Sequence, residues 1–301
     1  MSESHEPPAD PRVPVDPHTG EWLERNRARW DELVPIHVAS SMYDRTALRA
    51  GSGRFMTPME ESELVDYAPD GWAGKRVLHL QCHMGQDTLV FAQRGAEVVG
   101  LDFSMPAVEE ARALASEVGL DDRARFVHAN VYDARHILPE PGSFDVVYAT
   151  WGTIGWLPDV AEWARIVEWY LKPGGRLYFA DSHPAAWVHE DRKSGRGLPE
   201  LRYEYFADGR ADVWDEEGDY ADDDAVVENT ITWEWAHTTG EVISAVLDAG
   251  LRLDFYHEHD VVPWRFFRVL EEKEPGLWGW PAERWLPLTY SLGATRPHPA
   301  G

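Results

Sequence analysis

The chain has 301 residues, a formal net charge of −25 and a single cysteine. This length fits one large α/β domain, alone or with an insert, and a lone cysteine excludes an intramolecular disulfide. The acidity argues against DNA or RNA as a partner, because nucleic-acid affinity comes largely from lysine and arginine contacts to phosphates. Since no early apolar run resembles a signal peptide and no stretch approaches a membrane span, we expect a soluble, cytoplasmic protein without a membrane partner.

The first 74 residues show no strand pattern. Residues 1–20 carry five prolines among polar residues, which predicts a disordered tail. Residues 21–38 are predicted to form a helix, residues 45–53 a loop and residues 58–67 a second, short helix. One face of the first helix carries Trp22, Asn26, Trp30, Leu33 and His37. We therefore predict a helical cap over residues 21–74, in which Tyr43 and Arg54 close over a ligand.

Residues 77–104 form the most informative stretch. Two short, continuously apolar segments, 76–80 and 97–101, are typical of buried parallel strands, and between them lies a helix that begins near Gln86 and ends at Gly95. The second strand is followed by an acid, Asp102. A ligand of such a unit lies beyond the carboxyl ends of the strands, where a carboxylate accepts hydrogen bonds from ribose hydroxyls.

The strand–helix alternation continues to residue 182. A helix over 106–118 has Ser104 as its N-cap and Gly119 at its end, and further strands are predicted at 125–129, 144–150 and 176–180, with an amphipathic helix at 159–171. This alternation predicts a parallel sheet with helices on both faces.

The pattern changes over residues 183–237, where broken β-type runs flank a very acidic segment, 215–224. We predict an inserted hairpin on the substrate side, with the acidic turn in solvent at its tip. Thr238 and Glu241 then form a capping box for a helix that ends at Gly250. Two final strands, 251–259 and 288–295, are separated by a long aromatic connection.

Four motifs together resemble the class I S-adenosylmethionine-dependent methyltransferases: VLHLQCHMGQDTL, GLDFS, HANVYD, and the run FDVVYATWGTIGWLPD…WYLKPGGRLYFAD. The resemblance spans residues 75–296. It implies a Rossmann-like, doubly wound α/β domain with a mostly parallel seven-stranded sheet and an antiparallel last strand. The first motif departs from the family pattern, because His79, Gln81 and His83 stand where an acid and two glycines are usual; the variant LQCHxGxDT occurs in a bacterial subgroup.

The resemblance implies S-adenosyl-L-methionine as cofactor and S-adenosyl-L-homocysteine as product. Gly85 would allow the ligand to approach the backbone, and His83 would either bind the cofactor carboxylate or hold the loop. Trp151 would offer a ring face to the sulfonium, and His183 is the best-placed general base by topology. No set of side chains has the spacing of a metal site. The predicted cofactor-binding residues are Gln81, His83, Gly85, Asp102, Phe103, Asn130, Val131 and Thr150.

These features predict methyl transfer to an oxygen or nitrogen of a small-molecule acceptor. A non-catalytic S-adenosylmethionine-binding regulator or complex subunit shares every cofactor motif and stays open as an alternative. An NAD(P)-dependent oxidoreductase is a second alternative, but it predicts a G-x-G-x-x-G turn after the first strand, which this sequence lacks. The acceptor and the oligomeric state do not follow from the sequence.

Overall fold

The computed structural model describes residues 15–52, 57–191, 197–222 and 225–299. The helices in these residues are α1 (Glu21–Ala39), α2 (Thr46–Arg49), α3 (Pro58–Leu64), α4 (Gln86–Gln93), α5 (Met105–Glu117), α6 (Ala134–Ile137), α7 (Val160–Tyr170), α8 (Pro184–Trp187) and α9 (Thr239–Asp248). The strands are β1 (Arg76–Leu80), β2 (Glu97–Asp102), β3 (Ala124–His128), β4 (Phe144–Thr150), β5 (Leu171–Ser182), β6 (His189–Glu190), β7 (Glu200–Leu201), β8 (Ala211–Asp215), β9 (Ile231–Trp235), β10 (Arg252–His259), β11 (Val261–Val262), β12 (Glu271–Glu274), β13 (Leu277–Gly279) and β14 (Thr289–Thr295).

The main sheet has seven strands in the order β10-β14-β5-β4-β1-β2-β3. Strands β1 to β5 pair in parallel, whereas β14 runs antiparallel to both of its neighbours, β5 and β10. This confirms the predicted Rossmann-like sheet with an antiparallel last strand. The strand order reverses between β1 and β4, and ligands of such sheets bind at the carboxyl ends of the strands beside this reversal.

Alternate residues of the central strands enter two separate cores. In β4, Val147 and Ala149 pack on the side of α6, α7 and α9, whereas Val146 and Tyr148 pack on the side of α3, α4 and α5. Both faces of the strand are therefore buried, which explains its nearly continuous apolar sequence.

The N-terminal segment differs from its prediction in two respects. Residues 1–14 of the predicted tail lie outside the described residues, as does Arg54. Residues 15–20, however, pack against the domain, since Trp22 Nε1 donates to the Asp16 carbonyl at 2.9 Å and Asn130 Nδ2 donates to the Pro17 carbonyl at 2.9 Å. The predicted loop at 45–53 contains the short helix α2.

The predicted cap over residues 21–74 covers two different places. Helix α1 contacts β9 and carries Trp22 and Leu23 into the first core, whereas α3 covers the opposite face of the sheet. The residues after α3 are fixed to the sheet, because the Tyr67 hydroxyl donates to the Leu177 carbonyl at 2.7 Å. In the described part of this segment, α1 and the turn that follows it stand over the carboxyl ends of the strands.

The insert contains the predicted hairpin, formed by β8 and β9, but its acidic turn is not solvated throughout. The side chain of Asp219 is only 1% exposed. The cause lies in α1, where the buried guanidinium of Arg29 donates to the carbonyls of Glu216 at 2.7 Å and of Gly218 at 2.6 Å. These hydrogen bonds draw the turn onto α1; residues 223 and 224 lie outside the described part of the chain.

The aromatic connection before β14 forms a small structure of its own. Strands β11, β13 and β12 make a three-stranded sheet, over which Phe267 and Trp280 are buried in a separate apolar cluster. Many aromatic residues of this segment therefore pack against one another. Within the described residues, no helix combines the length and the apolar character needed to cross a membrane.

Candidate active site

A cavity opens at the carboxyl ends of β1, β2 and β4, where the strand order reverses. Helix α1 and the acidic turn supply the wall opposite the sheet, through Trp22, Trp30 and Tyr220. Among the predicted site residues, those that line the cavity are Gln81, His83, Asp102, Phe103, Asn130, Val131 and Trp151.

Asp102 is the carboxylate at this cavity that the sequence singled out. It is 6% exposed and accepts hydrogen bonds from the backbone N–H groups of His83 at 2.8 Å and Ser104 at 2.9 Å. Each carboxylate oxygen keeps acceptor capacity after these bonds, so the group can still bind two hydroxyls. Burial raises the pKa of Asp102 to about 6, against the effect of the two backbone N–H donors.

The turn after β1 is built without the usual glycines. Gln81 and His83 have φ values of 57° and 48°, and Trp151, after β4, has a φ of 59°. Such left-handed conformations are costly for residues with side chains and cluster at functional sites. Gln81 Nε2 donates to the Thr153 carbonyl at 2.8 Å, and the buried Oε1 of Gln81 has no hydrogen-bond partner among the described residues. This orphan acceptor fits a donor group on a ligand.

Gly85 does not line the cavity, although the sequence predicted close contact with the ligand there. A Cβ at this position would lie 2.4 Å from Cε1 of Phe126 and 2.9 Å from Cβ of Ala111. The φ of 70° adds a conformational reason for glycine. The structure therefore explains Gly85 by its packing under β3 and α5.

Thr150 and His183 also lie outside the cavity lining. The side chain of His183 turns towards the edge of the sheet, where Nε2 lies 3.1 Å from Oε1 of Glu258 and Nδ1 accepts from the backbone N–H of Ala185 at 3.0 Å. Both ring nitrogens are thus occupied in capping α8 and in contacting β10. The structure does not support His183 as the general base.

Asp181, which the sequence analysis missed, organises the loop after β4. One oxygen accepts from the N–H groups of Gly152 at 2.8 Å and Ser182 at 2.7 Å, and the other accepts from those of Thr153 at 2.9 Å and Ile154 at 3.1 Å. The carboxylate therefore fixes the backbone beside Trp151. In the sequence, the feature that could have identified Asp181 is its position as an acid at the end of β5, the strand that pairs with β4.

A second group that the sequence did not reveal connects α1, the first turn and the insert. His37 Nε2 lies 3.2 Å from both carboxylate oxygens of Asp219, and His37 Nδ1 lies 2.8 Å from Nε2 of His83. Tyr43 stacks on the His37 ring, with 4.8 Å between ring centroids, and shares a hydrogen bond with the Tyr220 hydroxyl. Among the described residues, no cluster of three or more His, Cys, Asp or Glu side chains is arranged to hold a metal ion.

Comparison with known proteins finds a family match for the central part of the chain, which carries the strand-end residues of this site. Residues 77–175 match the model of a methyltransferase domain. A ubiquinone biosynthesis O-methyltransferase from Ralstonia nicotianae is 35% identical over 111 residues, which cover 37% of this chain and 44% of that protein. The 23S rRNA (uracil(1939)-C(5))-methyltransferase RlmD of an Azoarcus species is 31% identical over 125 residues, which cover 42% of this chain and 27% of that protein. The match thus spans less than half the length of either relative.

A solved structure supports the fold over a longer range. An S-adenosylmethionine-dependent methyltransferase from Mesorhizobium loti superposes with a TM-score of 0.55 and 21% sequence identity, covering 79% of this chain and 97% of that one. At this identity the likeness speaks for the arrangement of the sheet and its helices.

Proposed function

Because residues 77–175 form a methyltransferase domain of the class I, S-adenosylmethionine-dependent type, we propose that the whole chain transfers a methyl group to an oxygen or nitrogen of a small-molecule acceptor. The family and the cofactor agree with the sequence-based prediction. The observation that carries the proposal is the carboxylate of Asp102, which lies at the end of β2 and lines the cavity beside the reversal of strand order.

The residues of the cavity fit S-adenosylmethionine. Asp102 retains acceptor capacity for ribose hydroxyls, and the unpartnered Oε1 of Gln81 can accept from an N–H or O–H donor. Phe103 and Val131 offer apolar contact for the adenine ring, and the ring face of Trp151 suits the positive sulfur. When bound, this molecule supplies a methyl carbon that is already activated by the sulfonium charge.

The protein contributes alignment and exclusion of water. In favourable cases, holding two reactants in line is worth about 7–11 kcal/mol of the barrier. Asp181 fixes the loop that carries Trp151, and α1 with Tyr220 covers the opposite side of the cavity. This enclosure supports a small acceptor over a polymer, as does the net charge of −25.

The test is an acceptor screen with the purified full chain and S-adenosylmethionine, in which the formation of S-adenosylhomocysteine is measured. The panel contains phenols, catechols, alcohols and amines, together with ribosomal RNA because of the match to an rRNA methyltransferase. We expect product with a small molecule and none with RNA. Product with RNA alone would overturn the choice of acceptor, and tight cofactor binding without any product would favour the non-catalytic binder. Absence of binding would refute the methyltransferase assignment itself.

A further inference from the structure

Three side chains from distant parts of the sequence form a continuous chain that ends at the cavity. Asp219 lies in the acidic turn, His37 in α1 and His83 in the turn after β1. The side chains of His37 and Asp219 are 0% and 1% exposed, whereas His83 lines the cavity. A buried carboxylate, a buried imidazole and a cavity-facing imidazole in series are the components of a proton relay.

For a neutral His37, the hydrogen-bond pattern sets the tautomers of the two rings. A carboxylate only accepts, so Nε2 of His37 carries the proton that points at Asp219. Nδ1 of a neutral His37 is then unprotonated and accepts from Nε2–H of His83, at the observed 2.8 Å. The remaining nitrogen of His83, Nδ1, consequently holds a free lone pair.

We propose that His83 is the general base of the methyl transfer and that His37 and Asp219 are positioning residues that form a relay behind it. This inference rests on the proposed function and narrows the acceptor to a hydroxyl compound. As the acceptor oxygen forms its bond to the methyl carbon, the carbon–sulfur electron pair stays on sulfur, which becomes a neutral thioether. The hydroxyl proton moves to Nδ1 of His83, and the positive charge on the imidazole is stabilised through His37 by the carboxylate of Asp219.

A hydroxyl acceptor suits the environment of His83. Burial, which is the largest cause, and the charge of the nearby Arg45 lower the pKa of His83 well below its usual value, so its lone pair is free at neutral pH. An oxygen that is being alkylated becomes a strong acid, so a base of low basicity is sufficient to remove its proton. An amine acceptor would keep its proton against such a base.

The surroundings of the relay exclude water and compensate its charges. Trp30 packs edge-on against both imidazole rings, at 6.0 Å from His37 and 5.4 Å from His83. Tyr43 and Tyr220 enclose His37 from the remaining sides, and Arg45, which also faces His83, is paired with Glu110. Towards the acidic turn, Arg29 faces Asp219, whose Oδ1 also accepts from the backbone N–H of Ala221 at 2.9 Å. Asp102 accepts from the backbone of His83.

The test compares Asp219→Asn and His37→Gln with Ser40→Ala. An Asn at 219 presents a donor as well as an acceptor, so the chain can reverse its tautomers and place a proton on Nδ1 of His83. We expect Asp219→Asn to lower kcat by about 10²–10⁴-fold, the usual contribution of general acid–base catalysis, with KM for S-adenosylmethionine within about threefold of wild type. Ser40→Ala is the matched control, because the Ser40 hydroxyl holds the same turn through the Ala221 carbonyl at 2.7 Å but lies outside the relay.

An acceptor-independent measurement completes the test. Nitrogen-15 NMR of labelled histidines in the complex with S-adenosylhomocysteine should show His83 neutral, protonated at Nε2 and unprotonated at Nδ1. A protonated Nδ1, or wild-type kcat in both relay variants, would overturn the relay. Failure of S-adenosylhomocysteine to bind would instead refute the proposed function. An equal fall in kcat for Ser40→Ala and Asp219→Asn would overturn the relay, because the loss of activity would then come from disruption of the acidic turn.

Discussion

Replacement of Asp102 by Asn is the sharpest test of how the cavity holds its ligand. The change keeps the shape of the side chain but removes its charge and turns one acceptor into a donor. A hydrogen bond to a charged group contributes about 1.5–3 kcal/mol. At about 1.4 kcal/mol for each factor of ten, loss of one such bond to a ribose hydroxyl weakens binding about 10- to 150-fold. We therefore expect Asp102→Asn to reduce the affinity for S-adenosylhomocysteine by this amount.

The assay is titration calorimetry with a pair of ligands, 5′-methylthioadenosine and its 2′-deoxy derivative. Wild-type protein should prefer the ribose form, and Asp102→Asn should lose that preference. Asp133→Asn is the control, since Asp133 is an exposed acid that pairs with His18 at 2.7 Å and does not line the cavity. If the Asn variant still discriminates between the two ligands, Asp102 does not bind the ribose and the reasoning is wrong.

The pH dependence of the same carboxylate adds a second test. With a pKa of about 6 in the folded protein, Asp102 is ionised at pH 7.5 and mostly protonated at pH 5. Affinity for S-adenosylhomocysteine should therefore be full above pH 7 and fall as the pH drops through 6, and Asp102→Asn should lack this step. The free energy of unfolding changes in the opposite direction. A raised folded-state pKa adds at most about 3 kcal/mol of stability at low pH, and this contribution is lost as the pH rises through 6. Equal affinity at pH 5 and pH 7.5 would contradict the expectation.

Two further substitutions probe the frame of the site. Asp181→Asn should lower the free energy of unfolding by about 2–4 kcal/mol in urea titrations, because two backbone N–H groups lose their acceptor. Ser182→Ala is the control and should change this free energy by less than about 1 kcal/mol. Equal losses in the two variants would show that the Asp181 carboxylate does not fix the loop. Gly85→Ala should lower the melting temperature more than Gly119→Ala. Both glycines have a φ near 70°, but of the two only residue 85 would bring a Cβ against Phe126. Equal shifts in melting temperature would show that packing against Phe126 is not the reason for a glycine at residue 85.

The sequence predicts the sheet and those site residues that lie at the carboxyl ends of the strands, because both depend on local patterns. The acid after β2 and the residues after β3 and β4 are placed by the parallel strands themselves, so Asp102, Asn130 and Trp151 reach one cavity. The capping box at Thr238 and Glu241 is likewise observed as predicted. In each case the decisive neighbours lie within a few residues or along one strand.

The opposite wall depends on contacts between distant residues. The face of α1 that carries Trp30 and His37 is visible in the sequence, but its partner Asp219 is 182 residues away from His37. Within a strongly acidic run, a buried aspartate has the same sequence pattern as its solvated neighbours. The contacts that draw the turn onto α1, among them those of the Arg29 guanidinium, appear only in the folded structure. The place of His183 outside the cavity lining also depends on a distant residue, because its ring contacts Glu258 on β10.

The hydrogen bond between Tyr43 and Tyr220 also bears on how fast the protein can work. Both side chains line the cavity and link the turn after α1 to the insert, so opening the cavity wall between these two segments requires them to part. Such gating steps occur over microseconds to milliseconds and often set turnover in place of the chemical step. Separation of the Tyr43 and Tyr220 side chains is a motion of this class.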